Sequence, residues 1–247
     1  MKKFFYTFII LAPLVLVNII CLAGKKEKQS ELKIIAEYKL KVTEPSGLAL
    51  TSDRKFLWTV SDQTSTAYMI SLDGKIVNNI KINAPDLEGI AVVNDTTIAV
   101  VSEVTGEIIF MSYSGKEVKR VKTEFSNKDN NGLEGIAYNK SSKHVFVLKE
   151  KNPGLLIEYN NKLKQIRQTE LKFADDYSSL DFTNETKEFW LTSDESKSII
   201  RCSFDGKMKE SYKMKITQME GIAIDLKTKK IYVVSDAEEK LYVIELK

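Results

Sequence analysis

Eight carboxylates recur in this chain at two fixed places. Glu88, Glu134 and Glu220 each precede a Gly-Ile-Ala triplet, while Asp62, Glu103, Glu150, Asp194 and Asp236 each close a short run rich in β-branched and aromatic residues. Measured from positions 47, 89, 135, 179 and 221, the second set follows at 15, 14, 15, 15 and 15 residues. With no His or Cys beside them, these groups offer only hard oxygen donors. Held close together, carboxylates either raise one another's pKa or recruit a cation. Calcium accepts about six to eight such oxygens in loose geometry. The chemistry to expect is therefore calcium binding, with the three glutamates nearest the metal. Ser46 and Ser178 put hydroxyls where the two remaining glutamates of the series would stand.

A second role is open to the same residues. A Ser-Asp or Ser-Glu pair at a strand end also ties down a turn through side-chain to backbone hydrogen bonds. For the five acids of the second set this structural role stands beside metal ligation; for the three glutamates the alternative is hydrogen bonding at a rim. Asp181 occupies a place where the other copies have Ala, and it is expected to accept hydrogen bonds from a neighbouring strand's amides. The loop Asn127-Lys128-Asp129-Asn130-Asn131-Gly132 partly matches an EF-hand opening, but Tyr138 stands where the bidentate Glu belongs. A plain turn is the alternative there, with Asn131 near enough to Glu134 to join a rim site.

The elements that would gather these groups are repeats. Ser46-Gly47-Leu48-Ala49, Glu88-Gly89-Ile90-Ala91, Glu134-Gly135-Ile136-Ala137, Ser178-Ser179-Leu180-Asp181 and Glu220-Gly221-Ile222-Ala223 return at intervals of 42, 46, 44 and 42 residues, a propeller period. Asp73-Gly74, Ser114-Gly115, Asn160-Asn161 and Asp205-Gly206 fall between repeats, each followed by Lys, and predict two-residue hairpin turns. Each unit thus reads as strand, strand, strand, tight turn, strand: one four-stranded blade. The fifth unit ends 26 residues after position 221 and lacks its outer strand. The strand-like run Leu32 to Val42 is expected to supply that strand and close the ring, leaving no open edge. In such a ring the inner strand of each blade begins, and its second strand ends, at one face. All eight carboxylates would meet there.

Composition sets the surroundings. The chain of 247 residues carries 37 Lys plus Arg against 34 Asp plus Glu, net +3, with no stripe of basic residues that could track phosphates, so nucleic acid is not an expected partner. Only Cys21 and Cys202 are present; Cys202, in an apolar-alternating run, reads as a half-buried core thiol rather than a nucleophile. Residues 1–28 carry Lys2-Lys3, an apolar run from Phe4 to Ala23 and Lys25-Lys26-Glu27-Lys28, a signal peptide or membrane anchor. Retention, cleavage after Ala23 and lipidation of Cys21 remain open, and all three place residues 32–247 outside the cytoplasm, as a monomer attached to or near the membrane.

Glu44-Pro45-Ser46-Gly47-Leu48-Ala49, Asp86-Leu87-Glu88-Gly89-Ile90-Ala91, Gly132-Leu133-Glu134-Gly135-Ile136-Ala137, Tyr177-Ser178-Ser179-Leu180-Asp181 and Met219-Glu220-Gly221-Ile222-Ala223 resemble the SdiA-regulated family of bacterial propellers, also called YjiK/CarP-like. The resemblance covers about residues 32–247. It implies an all-β, five-bladed propeller with a calcium site, distantly related to NHL-repeat propellers, acting in the cell envelope without an established reaction. Three functions follow as expectations. The first is a non-catalytic calcium-binding module with an unidentified protein or small-molecule partner. The second is a calcium-dependent esterase, lactonase or phosphoesterase, since related propellers include such enzymes. The third is a metal-free interaction scaffold. His144 is the only histidine and opens a β-run, and no Gly-x-Ser-x-Gly elbow is present, which leaves little for a hydrolase besides a rim carboxylate such as Glu134.

Overall fold

The computed structural model describes Met1, residues 32–126 and residues 131–246. The leader beyond Met1, and Asn127 and Asp129 of the partial EF-hand match, lie outside the described residues.

Alternation of short apolar runs with turn residues gives strands throughout. Among the described residues there is no helix, and twenty strands form five antiparallel sheets of four. Blade one holds β2 (Pro45–Leu50), β3 (Phe56–Ser61), β4 (Thr66–Ser71) and β5 (Ile76–Lys81), and blade two holds β6 (Leu87–Asn94), β7 (Thr97–Ser102), β8 (Glu107–Ser112) and β9 (Glu117–Lys122). Blade three holds β10 (Leu133–Asn139), β11 (His144–Lys149), β12 (Gly154–Tyr159) and β13 (Gln165–Leu171), and blade four holds β14 (Ser179–Thr183), β15 (Glu188–Ser193), β16 (Ser198–Ser203) and β17 (Met208–Lys213). Blade five is β18 (Met219–Asp225), β19 (Lys230–Ser235) and β20 (Lys240–Glu245), completed by β1 (Lys33–Lys39). β1 runs antiparallel to β20 from Lys33 opposite Glu245 to Lys39 opposite Lys240. Leu40 N then donates to Glu239 O at 2.7 Å. The N-terminal strand therefore closes the ring as the repeat count predicts.

Each blade is too thin to bury both of its own faces, so the core lies between blades. Five apolar clusters result. The cluster between blades one and two centres on Trp58, Ile90 and Ile98, and the closing cluster joins Leu40, Val42, Leu48 and Leu57 to Ala223, Tyr232 and Leu241. Trp58 and Trp190 are completely buried. Cys202 is buried rather than half-buried, and desolvation pushes its thiol pKa up to about 12, which keeps it protonated and inert.

The third-to-outer turns differ from the two-residue form. Gly74, Gly115 and Gly206 have φ of 84°, 86° and 78°, but Asp73, Ser114 and Asp205 do not share the positive φ that a type I′ turn requires. Gly74 N donates to Ser71 O at 2.9 Å, as Gly115 N does to Ser112 O and Gly206 N to Ser203 O. This is a type I turn followed by a left-handed residue. In blade three that residue is Leu163 (φ 60°) rather than Asn161, because the turn begins at Asn160 and its fourth position falls on Leu163.

Toward the axis the inner strands β2, β6, β10, β14 and β18 approach one another backbone to backbone. A Cβ on Gly47 would sit 2.6 Å from Glu88 O, one on Gly89 would sit 2.8 Å from Glu134 O, and one on Gly221 would sit 2.7 Å from the carbonyl carbon of Gly47. Glycine in the repeated phrase is thus a packing requirement of the ring. Deleting residues 30–42 should remove one edge of blade five and the buried Leu40 and Val42. Burial of each such side chain is worth about 1.5–3 kcal/mol against a total stability of about 5–15 kcal/mol. The expected result is loss of the cooperative melt, or a midpoint lowered by more than about 10 °C, followed by circular dichroism. A melt unchanged from the intact body would show that the ring closes some other way.

Candidate metal centre at the channel rim

The three glutamates owe their aim to β-bulges. Pairing between β6 and β7 jumps from Leu87 opposite Ser102 to Gly89 opposite Val101, which leaves Glu88 without a cross-strand partner. Glu134 is passed over in the same way between Leu133 and Gly135, and Glu220 between Met219 and Gly221. A bulge re-aims the side chain it carries. In blade one the shift falls on Gly47, and the β14–β15 ladder of blade four runs without one.

Two carboxylate triads stand where blades meet. One oxygen from each of Asp62, Asp86 and Glu88 lies within 4.8 Å of the others, and the same holds for Glu103, Glu134 and Glu150. Each triad combines the acid ending a second strand of one blade with the bulge glutamate of the next. Gly132 makes room for the second triad: a side chain there would collide with Glu103 Cγ, and Gly132 N instead donates to Glu103 Oε1 at 2.7 Å.

Electrostatics at the rim are only partly relieved. Burial first, then the charges of Glu88, Glu103, Glu220 and Glu150, hold the Glu134 carboxyl well above the usual range. Glu88 is likewise raised, by burial first and then by Asp86, Asp62 and Glu220, despite a 2.7 Å hydrogen bond from Ser46 Oγ. Glu220 is pushed up to about 8 by burial and then by Asp194 and Asp236. Asp62 and Glu103 reach about 6, again through desolvation first. Burial also raises Glu150 and Asp236. Among the described residues no hydrogen bond or ion pair reaches the Glu134 or Glu220 carboxylate. The three glutamates therefore act on one another across the channel mouth. These acidic groups could hold a metal ion.

Several second-strand acids also have partners within the protein. Asp194 Oδ1 accepts from Gln218 N at 2.7 Å, Asp62 Oδ1 accepts from Gln63 N, and Glu150 pairs with Lys151 at 2.8 Å. Asn131 Oδ1 accepts from Asn152 Nδ2 at 2.9 Å, one residue before Gly132, whose N–H donates to Glu103 of the second triad. Asp181 lies inside the ring, where its two oxygens accept from Phe182 N at 2.8 Å and Ile224 N at 2.7 Å. With Ser179 Oγ accepting from Ile222 N at 3.2 Å, it fastens blade four to blade five where the glycine of the other repeats is missing.

A third acidic position is added by the structure. Glu44, Asp86 and Asp176 lie three residues before the repeat's glycine position, at places occupied by Gly132 and Gln218 in the other blades. Asp86 completes the first triad, and Glu44 bears on both Asp62 and Asp236. Buried Asp176 accepts from Ser193 Oγ, from Ser178 Oγ at 3.2 Å and from Asp194 N and Glu195 N at 3.1 Å, a satisfied structural role. Register alone could have found this position, since the same offset recurs.

Chemistry elsewhere is remote from the rim. The far end of the channel holds a cavity of about 160 Å³. Arg54 bridges to Glu185 at 2.8 Å and Lys140 Nζ donates to Ser52 Oγ at 3.0 Å, tying together loops of blades that are not neighbours. His144 begins β11 at that same far face, where its Nδ1 lies 2.7 Å from Glu158 Oε1 and Arg167 Nε donates to Glu158 Oε2 at 2.8 Å.

A model of the SdiA-regulated family matches residues 27–245, and the chain belongs to that family. Among solved structures it is similar to the glutaminyl cyclase of Myxococcus xanthus, with a TM-score of 0.69 at 13% identity over 87% of this chain and 95% of that one. It is also similar to a luciferin-regenerating enzyme, with a TM-score of 0.54 at 14% identity over 85% of this chain and 94% of that one. At such identities the likeness is one of fold.

Carboxyls with raised folded-state pKa bind protons more tightly folded than unfolded, so they cost stability as pH rises through the interval between the two values. For Asp62 and Glu103 that interval runs from their ordinary values to about 6, and for Glu220 to about 8. In chelator the melting midpoint should fall steadily from pH 5 to pH 8.5. A midpoint flat or rising over that range would mean that the rim charges are already compensated within the protein.

Proposed function

We propose that this propeller is an extracytoplasmic calcium-binding module of the cell envelope, acting by binding rather than by turnover. The observation that carries the proposal is the pair of carboxylate triads, each within a 4.8 Å span. Two oxygens coordinated to one Ca2+ at about 2.4 Å are separated by at most about 4.8 Å, so neither triad is spread too widely to share a single ion. The donor set is oxygen only, which favours Ca2+ over Zn2+ or copper. Glu88 with Asp62 and Asp86, and Glu134 with Glu103 and Glu150, are the residues that would hold it. Glu220, Asp194 and Asp236 would add to the field that draws the cation in. A bound ion would supply compensating positive charge where the protein supplies little.

The residues of the rim define what the site does in this reading. They would coordinate an ion through their carboxylates and, by sharing it, fix the mouths of neighbouring blades relative to one another. Affinity in the range of about 10⁻⁴ to 10⁻³ M suits an extracellular module. The competing hydrolase has no histidine at this end of the channel, because His144 is engaged with Glu158 at the other face.

With a dissociation constant of about 0.1 mM, 5 mM CaCl2 should stabilise the folded state by about 2 kcal/mol, raising the melting midpoint by about 4–8 °C over the protein in EDTA. Magnesium should do less, since it demands tighter octahedral geometry. No shift with calcium at any pH between 6 and 8.5 would end the metal proposal and leave an interaction scaffold.

Glu134→Gln separates ligation from a structural role. It should raise the midpoint in EDTA, by removing a buried charge, and at the same time shrink the calcium shift by at least half. A lowered midpoint in EDTA with the full calcium shift retained would assign Glu134 to the framework. Turnover of a lactone, aryl ester or phosphoester by the wild-type protein, abolished by chelation and by Glu134→Gln, would replace the binding module with the hydrolase.

A further inference from the structure

The two faces of the ring carry opposite charge. The rim face gathers the carboxylates described above. The other face is built from the loops that join inner to second strands and from the third-to-outer turns. There Lys143, Lys162, Lys164, Lys187, Lys227 and Lys229 are exposed, and none of them enters an ion pair among the described residues. Blade three is the most one-sided: its loops 139–143 and 160–164 hold four lysines and no acid. Some basic residues on this face are neutralised by neighbours, as Lys75 is by Asp73 at 2.7 Å and Lys207 by Asp205 at 2.9 Å. The named six are not. The bridges Arg54–Glu185 and Lys140–Ser52 join loops of this face around the far end of the channel.

The chain also enters the ring at this face. β1 begins at Lys33, opposite Glu245 at the end of β20, and Ile35 lines a shallow depression with Thr228, Lys229, Lys230 and Leu246. The apolar run Phe4–Ala23 is joined to Leu32 by residues 24–31, a link that reaches at most about 28 Å even when fully extended. If that run is held in a bilayer, the face at which the link arrives is the one kept beside it. A lysine-rich face within that reach, with charge screened over only about 10 Å at 0.1 M salt, is complementary to an anionic lipid surface.

We propose that the lysine face docks onto anionic phospholipid headgroups, so that the propeller lies on the membrane with its carboxylate rim turned toward bulk solvent. This inference rests on the reading of Phe4–Ala23 as a retained anchor and is independent of whether the rim binds calcium. A docked ring would place the cation site as far from the bilayer as the thickness of the propeller allows, open to the surrounding medium.

Lysine footprinting of the full chain tests it. The protein would be reconstituted into vesicles of phosphatidylcholine alone or of phosphatidylcholine with phosphatidylglycerol. It would then be treated with a membrane-impermeant amine-acylating reagent, and labelling would be read residue by residue by mass spectrometry. Lys143, Lys162, Lys164, Lys187, Lys227 and Lys229 should be labelled at least threefold less in the anionic vesicles, and 0.5 M salt should restore them. Lys172 and Lys197, exposed beside the rim, should be labelled equally in both. Equal labelling of the six in the two compositions overturns the docking. Protection of the rim lysines instead would mean the reverse orientation. A full chain that stays in the supernatant with both kinds of vesicle overturns the anchor and the docking together, while its calcium-dependent melt would still report on the rim.

Discussion

The close approach of the five inner strands around a narrow axis governs the rest of this molecule. At Gly47, Gly89 and Gly221 the neighbouring backbone lies where a Cβ would have to be. Only a residue without a side chain admits the next blade at that distance, and a strand that loses its glycine must find another way to meet its neighbour. Blade four does so with side-chain oxygens: Ser179 and Asp181 reach across and accept the amides of Ile222 and Ile224. The amides of Ile222 and Ile224 are thereby satisfied where blades four and five meet.

The same crowding makes the rim acidic in effect as well as in composition. In blades two, three and five the residue before the glycine is squeezed out of register as a bulge, and in each of the three it is a glutamate. Side chains that might have spread over a flat surface are confined around one opening, and desolvation becomes the first cause of their raised pKa. A ring of carboxylates in this state takes up protons or a cation. The proposed calcium ion is the second of these outcomes, and the surface charge of the opposite face sets the direction in which the opening points if that face rests on lipid.

Stability has to come from elsewhere, since the body has a single cysteine and its inner rim stores repulsion. It comes from five apolar clusters between blades and from closure by β1, which makes the first and last segments of the body mutually dependent. Such a ring tolerates a costly rim because the cost is localised at one end of each blade while packing extends along its whole length. The buried Trp58 and Trp190 occupy equivalent second-strand positions in blades one and four.

Much of this was legible in the chain itself. Repeats of about 43 residues, their Gly-containing phrase and the missing outer strand of the fifth unit determined the number of blades, the strands in each and the use of residues 32–42 as the closing strand, because a local periodicity must be satisfied by a local structure. The acids that end the second strands were equally readable, since each lies directly after a run whose strand character is intrinsic to Val, Ile, Tyr and Trp. What the repeats could not say was where carboxylates from different blades come to rest. That Asp86 joins Asp62 and Glu88, that Asn131 accepts from Asn152, that Asp194 is engaged with Gln218, and that the turn of blade three falls on Leu163 all depend on bulges and on distances between blades. Those are set by the closing of the ring, a condition on all five units at once that is written in none of them separately.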